Sequence, residues 1–144
     1  MALPLPLRIL NVLGFLLFAT FSWVQRNDID PKIYYEPSSL DAAQWLLFYG
    51  LIAVLFLVVL FRPFPRWLLI VAGLACLIEM GRSAPGLWEN LFGDRPFTMM
   101  QESMAGDDPR VELTREFFGA LLAFGAVALL WWERKRILPR TAAA

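Results

Sequence analysis

Glu112, Arg115 and Glu116 stand at the head of an apolar run, at spacings of three and four that put two carboxylates and a guanidinium on one side of a helix. Glu79 and Arg82 repeat the pattern as a single pair near the end of another apolar run. Carboxylates beside a forked cation can hold a cation or proton, grip a charged headgroup, or do acid–base work. Asn27, Asp28 and Asp30 bring three oxygen donors into one short segment, the ligand type that a hard cation such as calcium prefers. The same residue types also end helices and shape turns without a metal. The segment lacks the glycine and the ligand spacing of an EF-hand.

Other chemistry is thinly represented. There are no histidines, which removes the commonest metal ligand and the commonest general base near neutral pH. The single cysteine, Cys76, lies in an apolar run and reads as an inert packing residue. Met99, Met100 and Met104 are soft donors that copper would accept, but with no histidine or cysteine beside them they read as apolar contacts. Nucleophile–base pairs and phosphate loops are lacking. The formal net charge is zero, so no basic field attracts nucleic acid. The sequence implies no cofactor, no metal and no enzyme activity.

The elements that carry these residues are written in long apolar runs. Hydrophobic residues make up 58% of the 144 and the mean hydropathy is +0.55, above the level of a soluble domain. Four spans are expected, at approximately 8–25, 42–61, 64–82 and 112–133. The first run, Ile9 to Val24, offers no clean small-x-small cleavage site and reads as a retained helix. The second, Ala42 to Phe61, carries no charge and at about 1.5 Å per residue matches a core of ~30 Å. The third is free of charge only from Trp67 to Ile78, so its span must include Glu79 and Arg82. The fourth, Phe117 to Trp132, is preceded by Asp108-Pro109, an N-cap signature that places the helix start near Asp108. After Pro85, Leu87, Trp88, Leu91 and Phe92 recur at helical spacing until Gly93, which reads as a short helix on the outer leaflet. The fold expected is therefore all-α: one integral membrane bundle of four transmembrane helices with a short interfacial helix in the outer loop, residues 1–144 forming a single domain. Thr141–Ala144 is expected to fray.

Orientation follows from charge. Arg8, Arg62, Arg66, Arg134, Lys135, Arg136 and Arg140 share one side with a single acid, Glu133; the remaining acids lie on the other. The positive-inside rule makes the basic side, with both termini, cytoplasmic.

Two stripes should face protein. Glu112, Glu116, Gly119, Ala123, Ala126 and Leu130 alternate in steps of four and three, the seam of a packed helix pair in which small residues allow close approach. Asn11, Gly14, Phe18, Ser22 and Gln25 fall within about 80° of one another on the first helix. The two stripes are expected to be neighbours, with Arg115 bridging the last helix to Asn27 or Asp28. Glu79, Arg82, Glu112, Arg115 and Glu116 then form either a structural ion-pair cluster or a binding site at the outer mouth. Full pairing with arginine would mark the former, unpaired carboxylates the latter.

With these residues in place, the chain resembles the transmembrane protein 220 family, small four-helix membrane proteins. One motif is Gln25-Arg26-Asn27-Asp28-Ile29-Asp30 followed by Tyr34-Tyr35; the other is Glu112-Leu113-Thr114-Arg115-Glu116-Phe117-Phe118-Gly119. Ile29 departs from the family's proline, which shifts to Pro31, and Glu36–Asp41 and Arg82–Asp107 read as enlarged segments. The resemblance implies no known reaction. The expected role is a non-enzymatic accessory or interaction subunit of a larger complex, in contact with lipid and other integral membrane subunits, in a bacterial inner membrane. The alternative is an ion- or lipid-headgroup-binding protein with its acidic site at the outer mouth.

Overall fold

Apolar runs this long form helices because lipid offers their backbone no other hydrogen-bond partner. The structure, a computed structural model, describes residues 3–62 and 65–137. Pro63, Phe64 and Thr141–Ala144, the last of which are expected to fray, lie outside them. Among the described residues four helices are long and apolar enough to cross a membrane: α1 (Leu5–Val24), α2 (Ser39–Val59), α3 (Arg66–Phe92) and α4 (Arg110–Ile137). A 3₁₀ turn, Gln25–Asn27, prolongs α1, and another, Gln101–Ser103, sits in the loop before α4.

Local chemistry sets the boundaries. The Ser38 hydroxyl caps α2 by accepting from the Asp41 amide at 3.0 Å. Helix α4 begins two residues after Asp108, whose carboxylate accepts from the Arg110 side chain at 3.2 Å. At the other end of α4, Lys135 and Arg136 lie over the rings of Trp131 and Trp132, the aromatic and basic belt of a membrane boundary.

The short interfacial helix after Pro85 is not a separate element. Helix α3 runs through Pro85 without a break for 27 residues, so Leu87 to Phe92 are its last turns. Proline only deprives the Gly81 carbonyl of one donor, and beyond it Gly86 packs on Leu113 and Asn90 bonds to Thr114, which hold the last turns against α4. Trp88, Leu91 and Phe92 are exposed on that extension.

Packing follows two pairs, α1 on α2 and α3 on α4, which meet chiefly through α2 and α4. The core is aromatic on the first pair: Phe18 stacks on Phe56 at 5.9 Å, and Tyr49 touches Phe18, Phe21, Trp45 and Phe48. Gly14 allows this contact, because a Cβ there would lie 2.7 Å from the Phe56 ring. Leu69, Ala72, Cys76, Ala120, Ala123 and Leu130 fill the second pair, all 0–1% exposed. Cys76 is thus a packing residue.

The expected pairing of the α1 stripe with the α4 stripe needs correction. Gly14 and Ser22 turn to α2, the Ser22 hydroxyl donating to the Leu46 carbonyl at 2.7 Å. Gly119 of α4 also faces α2, where the Tyr49 hydroxyl occupies the space of a Cβ. A hydrogen bond joins α1 to α4 directly: Asn11 Nδ2 donates to Glu133 Oε2 at 2.9 Å, with both residues fully buried. Above it α1 and α4 flank an apolar groove of about 720 Å³ that Gly14, Phe18, Phe118, Leu122, Gly125 and Ala126 help to line.

Candidate functional site

The polar residues gather where α1 ends, α2 begins, α3 ends and α4 begins. The two loops over this acidic end cross at Gly106, whose amide donates to the Lys32 carbonyl at 3.4 Å and whose missing side chain leaves room for the Pro31 carbonyl. Beneath them is a pocket of about 590 Å³. Gln25, Asp28 and Tyr34 line it from the α1 side, Asp41, Trp45 and Tyr49 from α2, Met99 and Met104 from the second loop, and Glu112, Arg115, Glu116 and Gly119 from α4.

Glu79 and Arg82 form the wall rather than the site. Glu79 is 8% exposed, and both its oxygens are occupied: Gln44 Nε2 donates at 2.7 Å and Arg82 Nε at 2.9 Å. Arg82 also reaches Asp41 at 3.4 Å and Glu116 at 3.8 Å. Its guanidinium, not that of Arg115, is the cation that ties three carboxylates together.

The bridge expected of Arg115 is absent. Its hydrogen bond goes to the Met104 sulfur at 3.4 Å, and no bond links it to Asn27 or Asp28. Coiling of the second loop brings Met104 over α4, and the guanidinium stays at the pocket wall with its charge unneutralised by close contact. Asn27 is exposed, and Asp30 is an exposed turn residue that accepts from the Lys32 amide at 2.9 Å. The three oxygen residues Asn27, Asp28 and Asp30 therefore do not converge; among the described residues no group of three or more acids and cysteines could hold a metal ion.

Asp28 turns inward, its Oδ1 accepting from the Tyr34 hydroxyl at 2.8 Å. Burial pushes its carboxyl above the ordinary range, and the Tyr34 bond and the Arg115 charge oppose that shift. The Tyr34 hydroxyl is pushed up to about 12 by burial and by its bond to Asp28. Glu112 Oε2 accepts from the Tyr35 amide at 2.6 Å, so the segment after α1 is tied to the start of α4. Two buried polar atoms at the pocket remain without a hydrogen bond: Glu116 Oε2 and the indole N–H of Trp45, a residue 3% exposed.

The two sequence motifs thus meet at one pocket, and the comparison with known families turns on the same span of chain. Residues 17–132 match the family model described as transmembrane family 220, helix. The chain belongs to this family. It is an integral membrane protein, as transmembrane family 220 membership and four membrane-spanning helices together establish. No curated protein and no solved structure matches it significantly.

Three residues of structural weight escaped the reading of the sequence. Arg110 is 7% exposed and its Nη1 donates to Asn90 Oδ1 at 2.7 Å and to the Pro96 carbonyl at 3.0 Å. Asn90, 1% exposed, donates in turn to the Thr98 carbonyl and to Thr114 Oγ1. Glu133, grouped with the exposed basic cluster, is buried against Asn11. Spacing carried the signal in two cases: Glu79, Ser83, Gly86 and Asn90 step by four, three and four, and Glu133 continues the α4 seam three residues past Leu130.

Proposed function

We propose that the chain is a non-enzymatic membrane protein that binds the polar head of a ligand in the pocket at its acidic end. The observation that carries this reading is the lining of that pocket: Asp28, Asp41, Glu112 and Glu116 around one loosely held guanidinium, Arg115. A purely structural cluster would consume its charges internally, as Glu79 does. Glu116 keeps only a 3.8 Å ion pair, and a carboxylate so placed favours a donor from outside. The charge asymmetry supports a reading in which both termini are cytoplasmic and this pocket lies on the outer face, and we assign the protein to a bacterial inner membrane as part of the same proposal.

Native mass spectrometry of the full chain extracted in mild detergent tests the reading. The wild type should carry a bound small molecule of defined mass, lost on Glu112→Gln/Glu116→Gln. An identical complement on both proteins would count against it.

A second reading, an accessory subunit in contact with other integral membrane subunits, is favoured by Gly81 and Gly125. A Cβ at either would meet nothing within 4 Å, and small residues on an open helix face let a partner helix approach. Co-purification of a stoichiometric membrane subunit, lost on Gly125→Leu, is the result that reading expects; a lone chain would contradict it.

A further inference from the structure

The pocket and the groove adjoin. Phe118 and Leu122 of α4 line both, so the polar cavity at the acidic end lies next to the apolar cleft between α1 and α4. Along α4 the groove extends from Phe118 to Leu129, which at about 1.5 Å per residue is roughly 16 Å, the depth of one leaflet of the hydrocarbon core. A polar head cavity beside a channel one leaflet deep has the shape of a lipid.

The charges specify the head. Glu116 Oε2 lacks a hydrogen-bond donor, and an ammonium supplies three while a trimethylated nitrogen supplies none. Four carboxylates against Arg115 in the pocket and Arg82 behind its wall still disfavour a ligand with net negative charge. Yet Arg115 is free for an anion, and the N–H of the buried Trp45 lacks an acceptor. A group with a cationic and an anionic end satisfies both demands, and a guanidinium favours phosphate.

We propose that pocket and groove together seat one zwitterionic lipid bearing a primary ammonium and a phosphate, its head among Glu112, Glu116 and Arg115 and one chain between α1 and α4. This rests on the reading of the pocket as a head-binding site and adds the identity of the ligand class.

The test is competitive retention. The full chain in mild detergent is given equal amounts of phosphatidylethanolamine, phosphatidylcholine and phosphatidylglycerol with identical chains, and the bound lipid is quantified by mass spectrometry. Phosphatidylethanolamine should exceed phosphatidylcholine by roughly tenfold or more, the worth of one charge-assisted hydrogen bond. Glu116→Gln should bring the two near parity. Gly125→Leu, which fills the groove where a Cβ meets nothing, should reduce retention of all three. Equal retention by the wild type, or a preference that survives both substitutions, overturns the proposal. Competition by soluble phosphoethanolamine without any lipid preference would also overturn it while leaving head binding in the pocket intact. Failure of lipids and phosphoethanolamine alike would remove both.

Discussion

Arg110 and Arg115 sit on the same helix, and their roles are the reverse of what distance from the apolar core implies. Arg110 lies farther out, yet the loop from Gly93 to Pro109 folds over it and supplies Asp108 and the Pro96 carbonyl as partners. Periodicity cannot reveal this, because the partners come from an irregular segment and from Asn90, twenty residues away along the chain. Arg110→Ala should destabilise the protein by about 3–5 kcal/mol, as expected when a buried charge network loses its cation. Arg115→Ala should cost less than about 1 kcal/mol, since its site is exposed. Thermal unfolding in detergent checks the order of the two; a larger loss for Arg115→Ala would refute it. A second prediction at this scale concerns Asp28. Its folded pKa is raised by burial, so ionisation costs the folded state free energy as pH climbs from 3.8 through the folded value, and the protonated form is favoured below that window. Tyr34→Phe deletes the hydrogen bond that opposes the shift, so the Asp28 carboxyl should titrate higher still. A carbon-detected titration showing no change or a fall would contradict this.

Helix α3 illustrates how much of an element is legible and where the reading fails. Its existence follows from Trp67 to Ile78, but the expected span ends at residue 82 and sets Leu87 to Phe92 apart as a short helix of their own. The helix persists instead, and its continuation brings Gly86 and Asn90 onto the seam that Glu79 and Ser83 begin. Gly86 is buried where a side chain would overlap Leu113 of α4, whereas Gly81, five residues earlier on the same helix, has open space around it. Gly86→Ala should therefore destabilise the α3–α4 pair by about 1–3 kcal/mol through overpacking. Gly81→Ala should be neutral or slightly stabilising, because alanine propagates helix better. Unfolding monitored by helical circular dichroism compares them; equal effects would show that α3 does not pack through Gly86. The α4 seam was legible from its steps of four and three, but which helix it faces was not, since small residues state that a neighbour comes close without naming it.

For the molecule as a whole, composition and the long apolar runs carried the four spans, and the motifs at residues 25–35 and 112–119 carried the pocket at the acidic end. The groove between α1 and α4 was invisible in sequence, because it results from α1 leaning on α2 and leaving its other side open. At the basic end Asn11 and Glu133 close that gap, and each keeps one oxygen unpartnered. Asn11→Leu should cost about 1–3 kcal/mol by stranding the Glu133 carboxylate, and Asn11→Leu/Glu133→Leu should recover most of the loss. A double variant less stable than the single one would show that the pair is more than a tie between helices. The central claim, that the acidic-end pocket holds a polar head, is tested most directly at the Trp45 indole N–H, the buried donor without an acceptor. Its ¹H–¹⁵N resonance is compared in delipidated detergent and in nanodiscs of native membrane lipid. The account predicts a downfield shift and slowed hydrogen exchange in nanodiscs, both abolished by Glu112→Gln/Glu116→Gln; an indole resonance unchanged between the two environments would contradict it.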